Sequence, residues 1–530
     1  MSTMTTPPPS LPRPTIDPDE LTLAGIRAGA LTGRPVTVLG FARSGIALAR
    51  FLVDAGAEVT VYDGRPLDEL TAALDRLDGR PVRLLAGPGI DPGDVLRGAA
   101  LVTTSPAINP DYPTTEPRLR SALQALVAAR AAGDPRAAAI VSEPDLVLRL
   151  CPAPTIGISG TKGKTTTAAL SHVLLAADPE HRAVLGGNIG RPLVERLPEL
   201  RADDRVVIEL SELQLPTLSR GTTVAAFTNV TSDHLDRHGT LEAYRAVKRR
   251  FAEQVEPSGA LVVNLDDPVV AGYVDGARAR VVGYRLGPPA RGGVGLVDGW
   301  IVADGVEALA VAGRTATATG RVLPLAELRI PGRHNVANAA AAVAIGLLFG
   351  LPPEAIRAAA ATFVGVEHRL ETVATVRGVR YVNDSQGTQP DAVIAALRAF
   401  DPPIVLIAGG RDKGIDLGEL GPAVAERAAA AVLIGESGPD LETRFRAAGL
   451  ARIERAATLE AAVRQAAAIA AELGPADRGA VAGRPVGRSA PTPTVLLSPA
   501  ATSFDMFVDY EARGRAFKAA VASLAEEAER

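Results

Sequence analysis

The chain has 530 residues, enough at ~150 residues per domain for three or four domains, each with its own core. Hydrophobic residues make up 47% and charged residues 22%, and Lys+Arg 56 against Asp+Glu 60 leaves a net charge of −4, which argues against a chain built to coat nucleic acid. One cysteine, Cys151, excludes a disulfide scaffold and a Cys-rich zinc module, and the lack of an apolar run of bilayer length predicts a cytosolic chain without membrane insertion. Residues 1–20 are rich in Pro, Ser and Thr and predict a disordered tail, with order beginning near Leu21. Residues 36–40 then predict a buried strand closed by glycine, 44–55 a helix and 58–63 a second strand ending in an acid, together a βαβ unit. A second strand, 155–159, turns through 160–163 into a helix from about Lys164. Strands come next at 205–210, 224–229 and 261–264, then a β-rich excursion from about 283 to 330 and an Ala-rich helix at 335–348. A third α/β pattern has strands at 379–383, 404–408, 431–434 and 494–497 and a helix from about Pro390, interrupted by an exposed Gly/Pro/Arg-rich insertion at about 474–493. Boundaries near 140 and 367 divide the ordered chain into 21–140, 141–367 and 368–530.

The strongest local signal is Gly160-Thr161-Lys162-Gly163-Lys164-Thr165-Thr166 between a strand and a helix. Small residues there let backbone N–H groups turn around phosphate oxygens, Lys164 reaches the β/γ-phosphates, and the Thr165 hydroxyl suits Mg²⁺. The loop is a shortened form, because the position five before Gly163 is Ile158 rather than glycine. Glu209 ends a buried strand about 45 residues later, where such proteins place a carboxylate that organises Mg²⁺. His234, one of 6 His, lies in the polar loop after the next strand and is a candidate ligand or phosphate contact. Lys248 sits in Tyr244-Arg245-Ala246-Val247-Lys248, and its spacing alone gives it no role beyond a solvated helix lysine. The turn from Gly40 to Gly45, with Asp63 at the next strand end, is an imperfect dinucleotide fingerprint with Ala42 at its middle glycine, and points to a diphosphate-bearing ligand.

Taken together these segments resemble the Mur ligase family, in the family's order: ISGTKGKTTT at 158–167, GGNIG at 186–190, IELSELQL at 208–215, NVTSDHLDRHG at 229–239, YRAVK at 244–248, GRHNVANAAAA at 332–342, EHRLE at 367–371, NDS at 383–385, GGRDKG at 409–414 and SPAATSFDMF at 498–507. The resemblance implies an α/β fold of three-domain Mur ligase architecture, with a Rossmann-like N-terminal domain, a P-loop central ATPase domain and a Rossmann-like C-terminal domain. It implies a ligase of peptidoglycan precursor synthesis that uses ATP and Mg²⁺, two ions expected, to join UDP-N-acetylmuramoyl-L-alanine to D-glutamate through an acyl phosphate, and that acts as a monomer. Carried over residue by residue, Gly163, Lys164 and Thr165 hold the phosphates and the first Mg²⁺ with Glu209. Lys248 matches a lysine that is carbamylated and, with His234, meets a second Mg²⁺. Asn335 and Asn338 match nucleotide contacts, and Arg369 and Asp384 enter from the third domain over ATP, with a hinge expected near Val366. Asn188 and Ser211 resemble contacts to the uridine-linked substrate; Gly40, Arg43, Ser44, Asp63 and Arg65 resemble its uracil and diphosphate pocket. Thr388, Lys413, Ser503 and Tyr510 occupy the D-glutamate site.

Two positions depart from the family pattern. Gln386 stands where many relatives have lysine, so a positive charge expected beside the acyl phosphate is lost, with Arg411 or Lys162 as compensating cations; and Ala107 stands where glycine is commoner. Other ligases of the superfamily fit less well: the DNPR-like segment of the diaminopimelate-adding relatives is missing, folate polyglutamate synthases lack the domain at 36–63, and the amidating relatives need cysteines. An NAD-dependent oxidoreductase would leave the phosphate loop, Glu209 and Lys248 without use, and a nucleotide-binding regulator would have no need of Lys413 and Ser503.

Overall fold

Short β-branched runs build the first sheet. Pro35–Leu39 is buried along most of its length and pairs in parallel with Glu58–Asp63 on one side and Leu101–Thr104 on the other; Arg83–Ala86 and Ala139–Ser142 add the outer strands, also in parallel. The order in which strands are added therefore reverses at Pro35–Leu39, which opens a crevice at the carboxyl end of that strand. The helix Arg43–Asp54 returns from it. Because Ala139–Ser142 pairs with Leu101–Thr104, this sheet runs past the boundary expected near 140. The computed structural model describes residues 15–231, 240–330, 332–411, 417–474 and 492–529. Order begins before Leu21: Ile16 is buried and its N–H donates to Ala100 O at 2.8 Å, while the Asp19 carboxylate takes Arg149 at 2.6 Å and Arg220 at 3.0 Å. A proline-rich composition hid one apolar anchor and two ion pairs. Of the expected insertion, 475–491 lies outside the described residues, as do residues 1–14 of the expected tail.

The second sheet has nine strands. Seven run in parallel, in the spatial order Ala183–Gly187, Arg205–Glu209, Thr155–Ser159, Val224–Phe227, Ala260–Asn264, Arg280–Tyr284 and Gly293–Val297. The β-rich excursion continues this sheet: Trp300–Glu307 and Thr317–Pro324 turn antiparallel and extend its edge. The Ala-rich helix Arg333–Leu348 packs on Lys164–Leu175 and is buried continuously from Asn338 to Leu348, which its small side chains permit. Between the two sheets, buried Asp145 accepts from the Ser219 N–H (2.7 Å) and hydroxyl (2.8 Å) and from Arg149 Nε (2.8 Å), so this carboxylate ties the helix Glu143–Leu150 to the loop at Ser219.

By compactness the chain divides into Met1–Phe363 and Val364–Arg530. The second unit holds a six-stranded sheet in the order Glu371–Val376, Val379–Asn383, Thr494–Leu497, Ile404–Gly409, Ala428–Ile434 and Ile453–Arg455. The first pair is antiparallel and the rest are parallel. Thr494–Leu497 inserts between earlier strands, so the loops after 383, 409 and 497 leave the same edge. No helix among the described residues is long and apolar enough to cross a membrane.

Helix Arg43–Asp54 can lie on its strand only because position 45 carries no side chain: a Cβ there would stand 1.8 Å from the Gly40 carbonyl oxygen. Gly45→Ala is therefore expected to lower the midpoint of thermal unfolding by about 5 °C. An unchanged midpoint in a calorimetric scan would contradict this packing.

Candidate functional site

The central site forms where Thr155–Ser159 ends. Gly160 has φ +144°, and a Cβ on it would meet Thr228 Oγ1 at 2.0 Å, so only glycine lets the chain turn here against the neighbouring strand end. The turn is then clamped from that neighbour. Asn229 accepts the Lys162 N–H on Oδ1 (2.9 Å) and donates from Nδ2 to the Lys162 carbonyl (2.8 Å); Thr228 Oγ1 donates to the same carbonyl (2.6 Å), and the Asn229 carbonyl accepts from Thr161 N–H (2.7 Å). Thr161 Oγ1 lies 2.9 Å from the Tyr244 hydroxyl. The helix Lys164–Leu175 starts directly after Gly163, which leaves its first N–H groups facing the loop.

Two lysines converge on this loop. Lys164 Nζ donates to the carbonyls of Gly160 (3.0 Å) and Thr161 (2.8 Å). Lys248, which the sequence alone leaves as a surface lysine, is fully buried; its Nζ donates to the same Gly160 carbonyl at 3.0 Å and lies 4.8 Å from the centre of the Tyr244 ring. The helix Leu241–Glu253 brings both Tyr244 and Lys248 to the loop. Glu209 is one strand over, with Ile158↔Glu209 in register, and is 1% exposed. Its Oε1 accepts from Asn188 Nδ2 at 3.1 Å, while the buried Oε2 has no hydrogen-bond partner. A buried carboxylate oxygen left open beside a phosphate loop fits a hard divalent cation. Asn188, expected at the uridine-linked substrate, is placed on this carboxylate. Ser211 stands nearby, its N–H and hydroxyl both directed to Gln214 Oε1.

The helix Arg333–Leu348 brings Asn335 and Asn338 to the same loop. Asn338 Nδ2 donates to Asn335 Oδ1 (3.1 Å), and a Cβ on Gly163 would meet Asn338 Oδ1 at 2.4 Å. Thr165 is buried at the helix start, Thr166 half-buried, and Lys162 exposed. His234 and Lys413 lie outside the described residues.

At the first sheet, Gly40 turns with φ +86°, and Asp63 fixes the start of the loop beyond it. Asp63 Oδ2 accepts the Phe41 N–H at 2.8 Å, and Arg65 grips the same carboxylate through Nε (3.0 Å) and Nη2 (2.9 Å). Burial works against ionisation here, but the hydrogen bonds from Arg65 and from the Arg65 and Phe41 amides hold the Asp63 carboxyl below its usual range. Asp63 thus braces the turn, and Arg65 is paired with it. Arg43 is exposed and Ser44 half-buried at the start of the helix. Ala107 is exposed.

In the second unit Asp384, Thr388 and Ser503 lie on the loops that leave the sheet edge, and Tyr510 opens the helix Tyr510–Glu529. Asp384 Oδ2 accepts from Ser498 Oγ (2.7 Å) and Oδ1 from the Leu370 N–H (3.1 Å). Burial pushes its carboxyl up to about 6, against the opposing pull of Ser498, Arg369 and the Leu370 amide. His368 and Leu370, at φ +63° and +46°, bracket Arg369. The buried His368 ring packs on Gly514, where a Cβ would stand 2.2 Å away, and its Nδ1 is 2.9 Å from Asn383 Nδ2. Arg513, which no sequence motif marks, is 1% exposed: Nε and Nη2 donate to Ser385 Oγ (3.0 Å) and Ser385 O (2.9 Å), and Nη1 to Ala501 O (3.2 Å). Burial brings its guanidinium down to about 10, with Asp505 opposing. Asn229 is the other functional residue that sequence reasoning misses; its place at a strand end beside the loop is the signal that could have found it.

Comparisons with known proteins agree with this layout. Residues 158–346 match the Mur ligase middle domain, and residues 368–484 match the glutamate ligase domain of Mur ligases. The chain is 38% identical to the UDP-N-acetylmuramoylalanine–D-glutamate ligase of Symbiobacterium thermophilum over 94% of this chain and 100% of that protein. It is 37% identical to the protein of the same name from Roseiflexus sp., over 93% and 99%. Among solved structures, UDP-N-acetylmuramate-alanine ligase from Thermotoga maritima shares the fold with a TM-score of 0.52 at 17% identity, covering 92% of this chain and 99% of that one. MurF from Acinetobacter baumannii does so with 0.52 at 14%, covering 97% and 100%. The chain belongs to the Mur ligase family, and its α/β architecture of Rossmann-like, P-loop and Rossmann-like sheets is the family's.

Asp384 offers a check on the second unit. A carboxyl raised from 3.8 to about 6 keeps a proton in the fold that the unfolded chain has lost, so stability falls as pH rises through that window and is level above it. Asp384→Asn removes the titration while keeping an acceptor and a donor. Against the parent, this variant is expected to gain about 2 kcal/mol between pH 4 and 6 in denaturant unfolding; parallel pH profiles would refute the assignment.

Proposed function

We propose that the chain is an ATP-dependent ligase that adds D-glutamate to UDP-N-acetylmuramoyl-L-alanine in peptidoglycan precursor synthesis. The observation that carries this reading is the convergence of the Lys164 and Lys248 side chains on the Gly160 carbonyl, beside the buried Glu209 with its open oxygen, in a chain 37–38% identical to proteins of that name over nearly its whole length. In the reaction, a carboxylate oxygen of the UDP-linked substrate attacks the γ-phosphorus of ATP and ADP leaves. The amine nitrogen of D-glutamate then attacks the acyl carbon, the C–O bond to phosphate breaks, and phosphate departs with the electron pair. The first step brings anion to anion, so positive charge held ready by the fold is what it needs. Lys164 and the amides of Gly163, Lys164 and Thr165 bind the β/γ-phosphates, and Asn335 and Asn338 bind the nucleotide. Thr165 and Glu209 would hold one Mg²⁺, and His234 with a carbamylated Lys248 would hold a second; such ions would supply charge neutralisation to the phosphoryl group. Arg369 and Asp384 are assigned to ATP, Gly40, Arg43, Ser44, Asp63, Arg65, Asn188 and Ser211 to the UDP-linked substrate, and Thr388, Lys413, Ser503 and Tyr510 to D-glutamate.

Phosphate release from ATP with UDP-N-acetylmuramoyl-L-alanine is expected only when D-glutamate is added, with the amide product detected by mass. Equal release with L-glutamate would remove the stereochemical part of the proposal, and no release with either would remove the activity. Lys248→Ala is expected to lower kcat by about 10²-fold or more, and added short-chain carboxylic acid is expected to restore part of it by standing in for the carbamate. Full activity in the unsupplemented variant would dismiss the role of Lys248.

A further inference from the structure

The loop after Val379–Asn383 is pinned at nearly every polar group, with one left over. The Gln386 N–H donates to His368 O (3.0 Å), Gly387 N–H to Asp384 O (2.7 Å), Thr388 N–H to Gln386 O (2.8 Å), and Ala500 N–H to Gly387 O (3.0 Å). Arg513 holds both the carbonyl and the hydroxyl of Ser385, and that hydroxyl donates to Tyr510 O at 2.8 Å. The loop has no slack: a Cβ on Gly387 would stand 2.3 Å from Asp384 Oδ2 and 2.6 Å from Ser498 Oγ. Yet the side-chain oxygen of Gln386 is buried and has no hydrogen-bond partner. A buried acceptor without a protein donor is costly to keep, and a ligand that brings an N–H would satisfy it.

The chemistry of the group narrows that ligand. An amide oxygen accepts, whereas the lysine common at this position only donates. The carboxylates of a dicarboxylic amino acid also accept and so cannot meet this oxygen; its ammonium can. Hydroxyls suited to the carboxylates are those of Thr388, two residues further along this loop, and Ser503, on the segment whose Ala500 N–H bonds to it. We propose that Gln386 is a specificity-determining and positioning residue whose Oε1 accepts a hydrogen bond from the α-amino group of the incoming amino acid. This rests on the ligase reading above. With one N–H held by Gln386, the amine, once its extra proton has passed to solvent, presents its lone pair in a fixed direction. A lysine in the same place would repel the ammonium form, so the exchange of lysine for glutamine changes which end of the substrate the position reads.

The test compares the parent with Gln386→Leu, Gln386→Lys and Gln386→Glu, after D-glutamate-dependent phosphate release by the parent has been established; failure at that first stage would strike the ligase reading and not this one. The readouts are KM for D-glutamate, KM for ATP, and the inhibition constant of glutarate, which has both carboxylates and no amine. Leu and Lys variants are expected to raise KM for D-glutamate by about tenfold or more, while glutarate inhibition and KM for ATP stay within about twofold. Glu, which keeps an acceptor, is expected to stay within about threefold of the parent and guards against a folding defect in Leu. A lower KM for D-glutamate in Gln386→Lys would show that the position reads a carboxylate, and a parallel shift in glutarate inhibition would show a general distortion of the pocket. Either result overturns the proposal, as does an unchanged KM in both Leu and Lys, which would leave water as the donor to Oε1.

Discussion

The carbonyl of Gly160 is the point on which the first unit turns. Two lysine nitrogens, Lys164 Nζ and Lys248 Nζ, each lie 3.0 Å from it. Two donors converge on one acceptor, and the fold holds them there before any anion arrives. The rest of the first unit's geometry serves to do so. Adjacent parallel strands Thr155–Ser159 and Val224–Phe227 deliver the loop and its Asn229 clamp at the same level. The helix Leu241–Glu253 buries Lys248 over Tyr244, whose ring face offsets part of the loss of water. A loop clamped in this way keeps its backbone amides in place for a polyphosphate, which is where its catalytic value would lie.

Much of this is legible in the sequence because it depends on local order. Strands 58–63, 379–383 and 494–497 are bounded by glycine, proline or an acid and match the structure end for end. Features set by tertiary contact are not legible. Lys248 sits among Arg245, Arg249 and Arg250, and nothing in that run marks which cation turns inward. Arg513, flanked by Glu511 and Arg515, reads as an exposed helix residue; only the neighbouring Gly514, which admits the His368 ring, hints at close packing. The edge strand Ala183–Gly187 is hidden because it ends in two glycines, which read as a turn. Ile16 is hidden by the prolines around it.

The functional residues divide along the same line. Those that act through backbone geometry, Gly40, Gly160 and Gly163, announce themselves as glycines between a strand and a helix. Those that act through a carboxylate are ambiguous in sequence, since an acid at a strand end can meet a ligand or brace its own loop. Structure separates the two cases by the partners each oxygen has. Asp63 has both oxygens occupied, by Phe41 and Arg65, and serves the turn. Glu209 keeps one oxygen open in a buried setting and remains available.

In the second unit the balance of buried charge explains why a neutral side chain can stand at position 386. Arg513 already carries a guanidinium into the core of the loop cluster, and its hydrogen bonds go to the carbonyl and hydroxyl of Ser385 and the carbonyl of Ala501, none of which cancels its charge. The burial that brings Arg513 down to about 10 is a measure of how poorly this region tolerates cations. Asp384 is under the opposite pressure, raised to about 6, so at neutral pH it is ionised with little margin. A second buried cation one residue from Ser385 would compete with Arg513 for the same few acceptors. An amide at that place adds no charge, leaves Arg513 its partners, and supplies an acceptor in a loop whose other polar groups are already committed.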